Sequence, residues 1–399
     1  MPREEFSVTL PTIYDEFQCK GGACRNTCCQ GWTISVTRGE YNKIRHRCKS
    51  EIIDTAFHRL PRKQAADEHY ANIKLKENGS CPLLDEKHLC GLQLEYGANI
   101  LPLTCKQFPR LVSSSLDHDT QLCLDLGCER VLELLLECAP TGLRFQHDVR
   151  FLQNLRGYQI HDDGLLAEYY TDIRNLCIWL LQNRSYSLSD RMLLLGLCLQ
   201  DLHEIEQSKA SGKIPQWFVK WQPYIKGDAL KEVISELRGN RHLFVVNNLK
   251  SILILSNICV DFKKFLPTVQ NNISFTHDEH FSYNIEQYEE LHKQFYAYFP
   301  QLDDFLENYM IMVLFRMCFR FRDSSTVWSD YNYLCQIYSL MHFYLVVSAP
   351  RSTEALIDRL TTFSRSTLSF NTFSEVTVKL MEQLQSDSLA HLAILVRES

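Results

Sequence analysis

The sequence predicts a mainly α protein: a loop-rich, cysteine-rich metal- or cluster-binding N-terminal unit over residues 1–140, followed by an all-α helical domain over residues 141–399. Three observations carry this. The length of 399 residues exceeds that of a usual single domain. Residues 1–140 hold 8 of the 15 glycines and 7 of the 12 prolines, which punctuate regular structure. Beyond residue 140, long stretches free of both carry apolar residues at three- and four-residue spacing.

In the first unit, Gly21-Gly22, Asn78-Gly79, Pro82, Pro102 and Pro109 mark bends, with helices expected over 40–60 and 128–138. In the second, Ser187 and Asp190 cap a helix through Met192, Leu195, Cys198, Leu199 and Leu202 to about Gln207, stopped by Ser211-Gly212. Asp228 opens a helix ended by Gly239, and others are expected over 164–183, 242–265, 283–298, 302–322, 327–348, 352–364 and 373–396. Aromatic strips such as Phe295, Tyr296, Tyr298 and Phe299 are expected to feed the core. The uncharged stretch 331–350 contains Asn332, Gln336, Ser339 and His342, a poor membrane span but a good buried helix.

Formal net charge is −6 with a pI near 6.2, so no strongly basic nucleic-acid footprint exists. A local basic run from Arg25 to Lys63 is either a solvated helix face or a docking surface for an acidic partner. The N-terminal run MPREEFSVTL lacks the apolar core of a secretory signal, so a reducing cytoplasm and no membrane insertion are expected.

Cysteine is the anomalous residue. Of 16, 11 fall in residues 1–138. In a reducing compartment, clustered thiols serve metals or redox chemistry rather than permanent disulfides. The spacings are Cys19-x4-Cys24, Cys24-x3-Cys28 and the vicinal Cys28-Cys29, followed by Cys81, Cys90, Cys105, Cys123 and Cys128. Such loops can aim several soft thiolates at one centre, zinc or iron–sulfur rather than magnesium or calcium. No Cys-x2-Cys zinc knuckle is present, and a vicinal pair chelates one small tetrahedral ion poorly, which favours an iron–sulfur cluster. The histidines near the unit (His46, His58, His69, His88, His118, His147) form no paired metalloprotease pattern. Five cysteines beyond residue 140 (Cys177, Cys198, Cys259, Cys318, Cys335) read as small core residues.

The run FQCKGGACRNTCCQGWTI at 17–34, CPLL at 81–84 leading to LCGLQ at 89–93, TCKQFPR at 104–110, and Cys128 resemble the flagellin lysine-N-methylase family, with its Cys-x3-Cys-Cys module. The resemblance is ordered over residues 8–140 and rests on length and composition beyond. It implies methyl transfer from S-adenosylmethionine to lysine ε-amines of flagellin in the cytoplasm, and a [4Fe–4S] cluster with zinc as the alternative. The thiolates it implies as metal ligands are Cys19, Cys24, Cys28, Cys29, Cys81, Cys90, Cys105 and Cys128. Eight exceed the need of one cubane, so some support the ligands or a second metal site exists.

A lysine amine attacks a sulfonium methyl only when neutral, and its unperturbed pKa of about 10.4 requires a base or burial. Tyr14, Asp15 and Glu16, ahead of the cysteine motif, and Glu95 and Tyr96, between Cys90 and Cys105, are the candidates for that base. The Gly-rich donor loop of a doubly wound fold is absent: Gly21-Gly22 lacks a preceding strand and the following acid. The Cys-x3-Cys-Cys spacing also departs from the Cys-x3-Cys-x2-Cys of radical S-adenosylmethionine enzymes. A non-enzymatic or electron-transfer metal-binding interaction protein is the competing reading.

Overall fold

Strand β1 (Glu5–Pro11) organises the first unit because both of its edges are paired and both of its faces are covered, burying Val8, Thr9 and Leu10. The computed structural model describes residues 5–31, 34–49, 51–61, 63–115, 120–151, 157–160, 165–277, 280–317, 326–368 and 388–397. They form two units. The first comprises Met1–Ser114, Thr120–Val131 and Phe145–Tyr158; the second comprises Ser115–Asp119, Leu132–Arg144 and Gln159–Ser399.

In the first unit, β1 runs parallel to β6 (Thr120–Leu124), with Val8 opposite Thr120. It runs antiparallel to β7 (Phe145–Phe151), from Glu5 opposite Phe151 to Pro11 opposite Phe145. With β5 (Arg110–Ser115) and β8 (Gly157–Ile160) the sheet order is β7-β1-β6-β5-β8. A second sheet, β2 (Ser35–Val36), β4 (Ala71–Ile73) and β3 (Phe57–Arg59), packs a small core of Val36, Ile44, Phe57, Ile73 and Leu92. These sheets are additions to the loop-rich unit expected from sequence. The strands are short, and β1 finds its partners β6 and β7 more than a hundred residues along the chain.

The helix expected over 40–60 is instead α2 (Arg38–Arg47), α3 (Glu51–Ala56) and then β3. Thr37 and Glu40 form a reciprocal capping box that starts α2 earlier, and Cys48 leaves the helix in an extended conformation. Arg38 pairs with Asp67 at 3.1 Å and Lys43 donates to the Asn99 carbonyl at 2.7 Å, so two cations of the basic run serve the fold itself.

The second unit is helical. Its long helices are α7 (Tyr170–Leu181), α8 (Leu188–Gln207), α11 (Arg241–Ser256), α12 (Val260–Asn272), α13 (Ile285–Tyr298), α14 (Leu302–Met317), α15 (Val327–Ser348) and α16 (Thr353–Leu368). Ser187 caps α8 by accepting the Asp190 N–H, and Met192, Leu195, Cys198, Leu199 and Leu202 are buried. The stretch 242–265 divides at residues 257–259, where the backbone turns extended at Cys259. Ile214–Trp221 adds a short helix not expected from sequence. Tyr298 is 54% exposed and so leaves the core to Phe295. Cys177, Cys198 and Cys335 are buried, Cys259 is half-buried, and Cys318, with the expected helical stretches 318–322 and 373–387, lies outside the described residues.

Helix α15 is buried along nearly its whole length; Ser339 accepts from Asn248 at 2.8 Å and His342 shares a hydrogen bond with Tyr296 at 2.9 Å, whereas the buried Asn332 Oδ1 has no hydrogen-bond partner among the described residues. Tyr331 donates to the Met192 carbonyl at 2.9 Å across the spot where Gly196 lacks a side chain. Among the described residues no helix is long and apolar enough to cross a membrane.

Glu307 is buried and accepts from Arg184 at 2.9 Å and from the buried Arg191. Substituting Glu307→Ala strands the Arg191 charge in the interior. The expected loss is about 3–5 kcal/mol, checked by urea unfolding of the variant against the parent chain.

Candidate metal centre

The cysteine loop is shaped by its glycines. Gly21 takes φ +58°, and a Cβ on Gly22 would strike the Lys87 carbonyl oxygen, so the loop lies directly on the turn preceding Cys90. The loop then descends to Cys29, whose carbonyl accepts the Cys81 N–H at 2.8 Å, while Gln30 and Ser80 form a bridge. Leu84 pairs with Cys90, and the Gly91 N–H donates to the Leu83 carbonyl at 2.8 Å. Cys105 sits in the short helix Leu103–Gln107, tied to α2 by the Leu103 N–H donating to Glu40 at 2.7 Å. Cys128 closes the set. It precedes α6 (Glu129–Glu137), and backbone N–H groups of Val131 and Arg130 stabilise its thiolate.

These segments bring the thiols together. Burial pushes Cys24 up to about 11 and Cys128 up to about 12, and raises Cys81, Cys90 and Cys105. A thiolate at Cys28 raises all five further, so six sulfurs share one electrostatic neighbourhood with Cys28 at its hub. Cys19, the exposed member, joins through Cys24. Cys29, Cys90 and Cys105 also pack against the core of the small sheet. Cys48, Cys123 and Cys138 have other neighbours: Cys48 is raised by burial and by Glu95, Cys123 lies near Tyr14, and Cys138 takes the Asn308 amide at 3.3 Å.

Among the described residues, no three His, Cys, Asp or Glu side chains are gathered closely enough to hold a single metal ion. In kind, the donors fit a thiophilic centre. Buried thiols that raise one another stay protonated at neutral pH, and a soft cation is what offsets both the burial and the mutual repulsion.

The candidate bases have other partners. Tyr14 is buried, with the Arg110 and Arg150 guanidinium groups 5.6 and 5.8 Å from its ring centroid, and burial raises its phenol. Asp15 is held below the usual carboxylate range by the Arg150 guanidinium at 2.6 Å, which occupies it. Glu16 is exposed at the end of the same turn of helix. Tyr96 is half-buried, accepts the Lys49 N–H at 3.4 Å and is raised by its hydrogen bond to Glu95, which is exposed.

Glu129 carries no signal in the sequence beyond being an acid next to the last cysteine of the set. Its side chain is fully buried and receives Lys20 at 2.6 Å, the Asn26 N–H at 2.9 Å and Arg25 at 3.3 Å. Burial alone would raise its carboxyl, but the Lys20 and Asn26 hydrogen bonds and the two cations outweigh it and hold the group lowered.

Comparison with known proteins places these features in context. The profile of the FliB lysine N-methylase C-terminal domain matches residues 174–395. A lysine-N-methylase of Salmonella typhimurium and one of Salmonella choleraesuis are each 33% identical over 134 residues, which is 33% of this chain and 33% of each relative. The match thus spans a third of the length of those two relatives. A flagellar biosynthetic protein FliU of Salmonella muenchen is 32% identical over 167 residues, covering 39% of this chain and 98% of that protein. No solved structure matches the chain.

The raised thiols make stability depend on pH. A thiol raised in the folded state keeps its proton where the unfolded chain, at about 8.5, gives it up. Their contribution is therefore complete below that value and is lost as pH rises toward the folded value, about 12 for Cys128. Thermal unfolding of the metal-free chain should fall steadily from about pH 8.5 upward, and the Cys128→Ala variant should show a shallower fall.

Proposed function

Because this chain belongs to the FliB lysine N-methylase family, we propose that it transfers methyl groups from S-adenosylmethionine to lysine ε-amines of flagellin in the cytoplasm. The proposal includes a [4Fe–4S] cluster held by cysteines of the first unit. The observation that carries it is the gathering of thiols around Cys28 in a chain whose remainder matches a lysine N-methylase domain. A flagellar protein among the relatives supports a flagellar substrate.

The transfer itself is a displacement at carbon. The neutral lysine nitrogen donates its lone pair to the methyl group, the methyl–sulfur bond breaks, and the thioether leaves as S-adenosylhomocysteine with the electron pair. The lysine ammonium gives up one proton before the attack, and the product carries its positive charge as the methylated ammonium. A buried approach lowers the lysine pKa and a positioned base accepts the proton.

Ligands for the cluster are drawn from Cys24, Cys28, Cys29, Cys81, Cys90, Cys105 and Cys128, with Cys19 at the exposed edge. When bound, a cluster with one iron lacking a cysteine supplies a Lewis-acid site for the amino and carboxylate groups of a methionine moiety. The buried sulfurs exclude water around it, and Gly22 lets the loop approach the turn before Cys90 closely enough to complete the set.

The test is anaerobic purification, assay of iron, sulfide and zinc, and incubation with flagellin and S-adenosylmethionine. Iron and sulfide in equal amounts and mass increments of methyl units on flagellin lysines are expected. Cys28→Ser should lose most of the iron, whereas Cys48→Ser and Cys123→Ser should keep it. Bound iron and sulfide without any methyl increment would instead favour an electron-transfer protein, and zinc without sulfide would remove the cluster from the proposal.

A further inference from the structure

We infer that Glu129 is the positioning residue of the cysteine loop: a buried carboxylate that locks residues 20–26 beside Cys128 and sets the charge around the sulfurs. The inference rests on the cluster proposed above and assigns a role to a residue that is not itself a ligand.

Three groups converge on one carboxylate, and all come from the loop bearing Cys19, Cys24 and Cys28. Lys20 reaches Oε1 at 2.6 Å, Arg25 reaches the same oxygen at 3.3 Å, and the Asn26 N–H donates to Oε2 at 2.9 Å. The cations bracket Cys24, and the amide follows it by two residues. Glu129 is the residue after Cys128 and the first of α6, so its backbone is fixed by the helix that also presents Cys128. One side chain therefore determines how far the first cysteines lie from the last. The side chain has no solvent exposure while Lys20 and Arg25 keep 23% and 37%. The anchor is interior and the cations reach in from the surface, a geometry in which a carboxylate is strongly held because water cannot replace its donors.

The charges have a second effect. Lys20 and Arg25 bring positive charge beside the loop cysteines, and the Glu129 carboxylate that holds them opposes it. A negative group near a redox centre disfavours the reduced form, so Glu129 lowers the potential and Lys20 raises it.

The experiment uses the full chain, reconstituted anaerobically, as the parent and as Glu129→Gln, Glu129→Ala and Lys20→Met. Glu129→Gln should shift the cluster midpoint potential positive and Lys20→Met should shift it negative, opposite signs that mere loosening of the loop would not produce. Iron release to a chelator should be several-fold faster in Glu129→Ala than in the parent, with Glu129→Gln between them. In the metal-free chain, hydrogen exchange at the Asn26 amide should lose protection in Glu129→Ala. Unchanged potential and release in Glu129→Gln, or unchanged Asn26 exchange in Glu129→Ala, overturns the inference. A parent chain that takes up no iron and sulfide defeats the cluster proposal separately; the Asn26 exchange then still decides whether Glu129 holds the loop. If Glu129→Ala does not fold, the Asn26 exchange is measured on Glu129→Gln, in which the weaker amide acceptor should give partial loss.

Discussion

Burying ionisable sulfur is the constraint around which the first unit is built. A thiol placed among Ile44, Phe57 and Leu92 is tolerable as a small apolar group, but its thiolate is not. Several such thiols around Cys28 compound the penalty, because each negative charge opposes the next. The surroundings are arranged accordingly: Lys20 and Arg25 stand beside Cys24, and backbone N–H groups of Arg130 and Val131 face Cys128. The same features that disfavour bare thiolates would favour thiolates bound to a soft cation.

Segments far apart in sequence must meet for this to work, and the two sheets are the means. Pairing of β1 with β6 brings residues near 10 beside residues near 120, which sets Cys128 in reach of the loop that follows β1. The small sheet gives Cys29, Cys81, Cys90 and Cys105 a common core to lean on. Backbone hydrogen bonds then fix relative height, as in the Cys81 N–H to Cys29 carbonyl contact at 2.8 Å. Glu129 adds a charged tie between the loop and α6.

The helical unit solves a different problem with similar economy. Its interior is mainly apolar, and polar groups that α15 carries into it find partners on other helices, as Ser339 does at Asn248 and His342 at Tyr296. At the buried Glu307, two arginines neutralise a carboxylate that would otherwise be prohibitive.

Local patterns determined much of this from sequence alone. The Ser187 cap, the periodic run from Met192 to Leu202 and the polar residues inside 331–350 depend on neighbours within a few turns, so the helices and the buried character of α15 were legible. The clustering of cysteines in the first unit was likewise visible, because spacing in loops is itself a local pattern. What the tertiary structure decided was everything that depends on distant partners. The strands of the first unit are short, and only pairing across more than a hundred residues makes β1 a central strand. Tyr298 follows the periodicity of its helix yet is 54% exposed. Asp15 and Glu129 are both acids beside cysteine segments, and no local rule separates them. One meets Arg150 at a half-exposed site, and the other is enclosed with Lys20, Arg25 and the Asn26 amide, because burial and charge partners are set by which segments fold against each other.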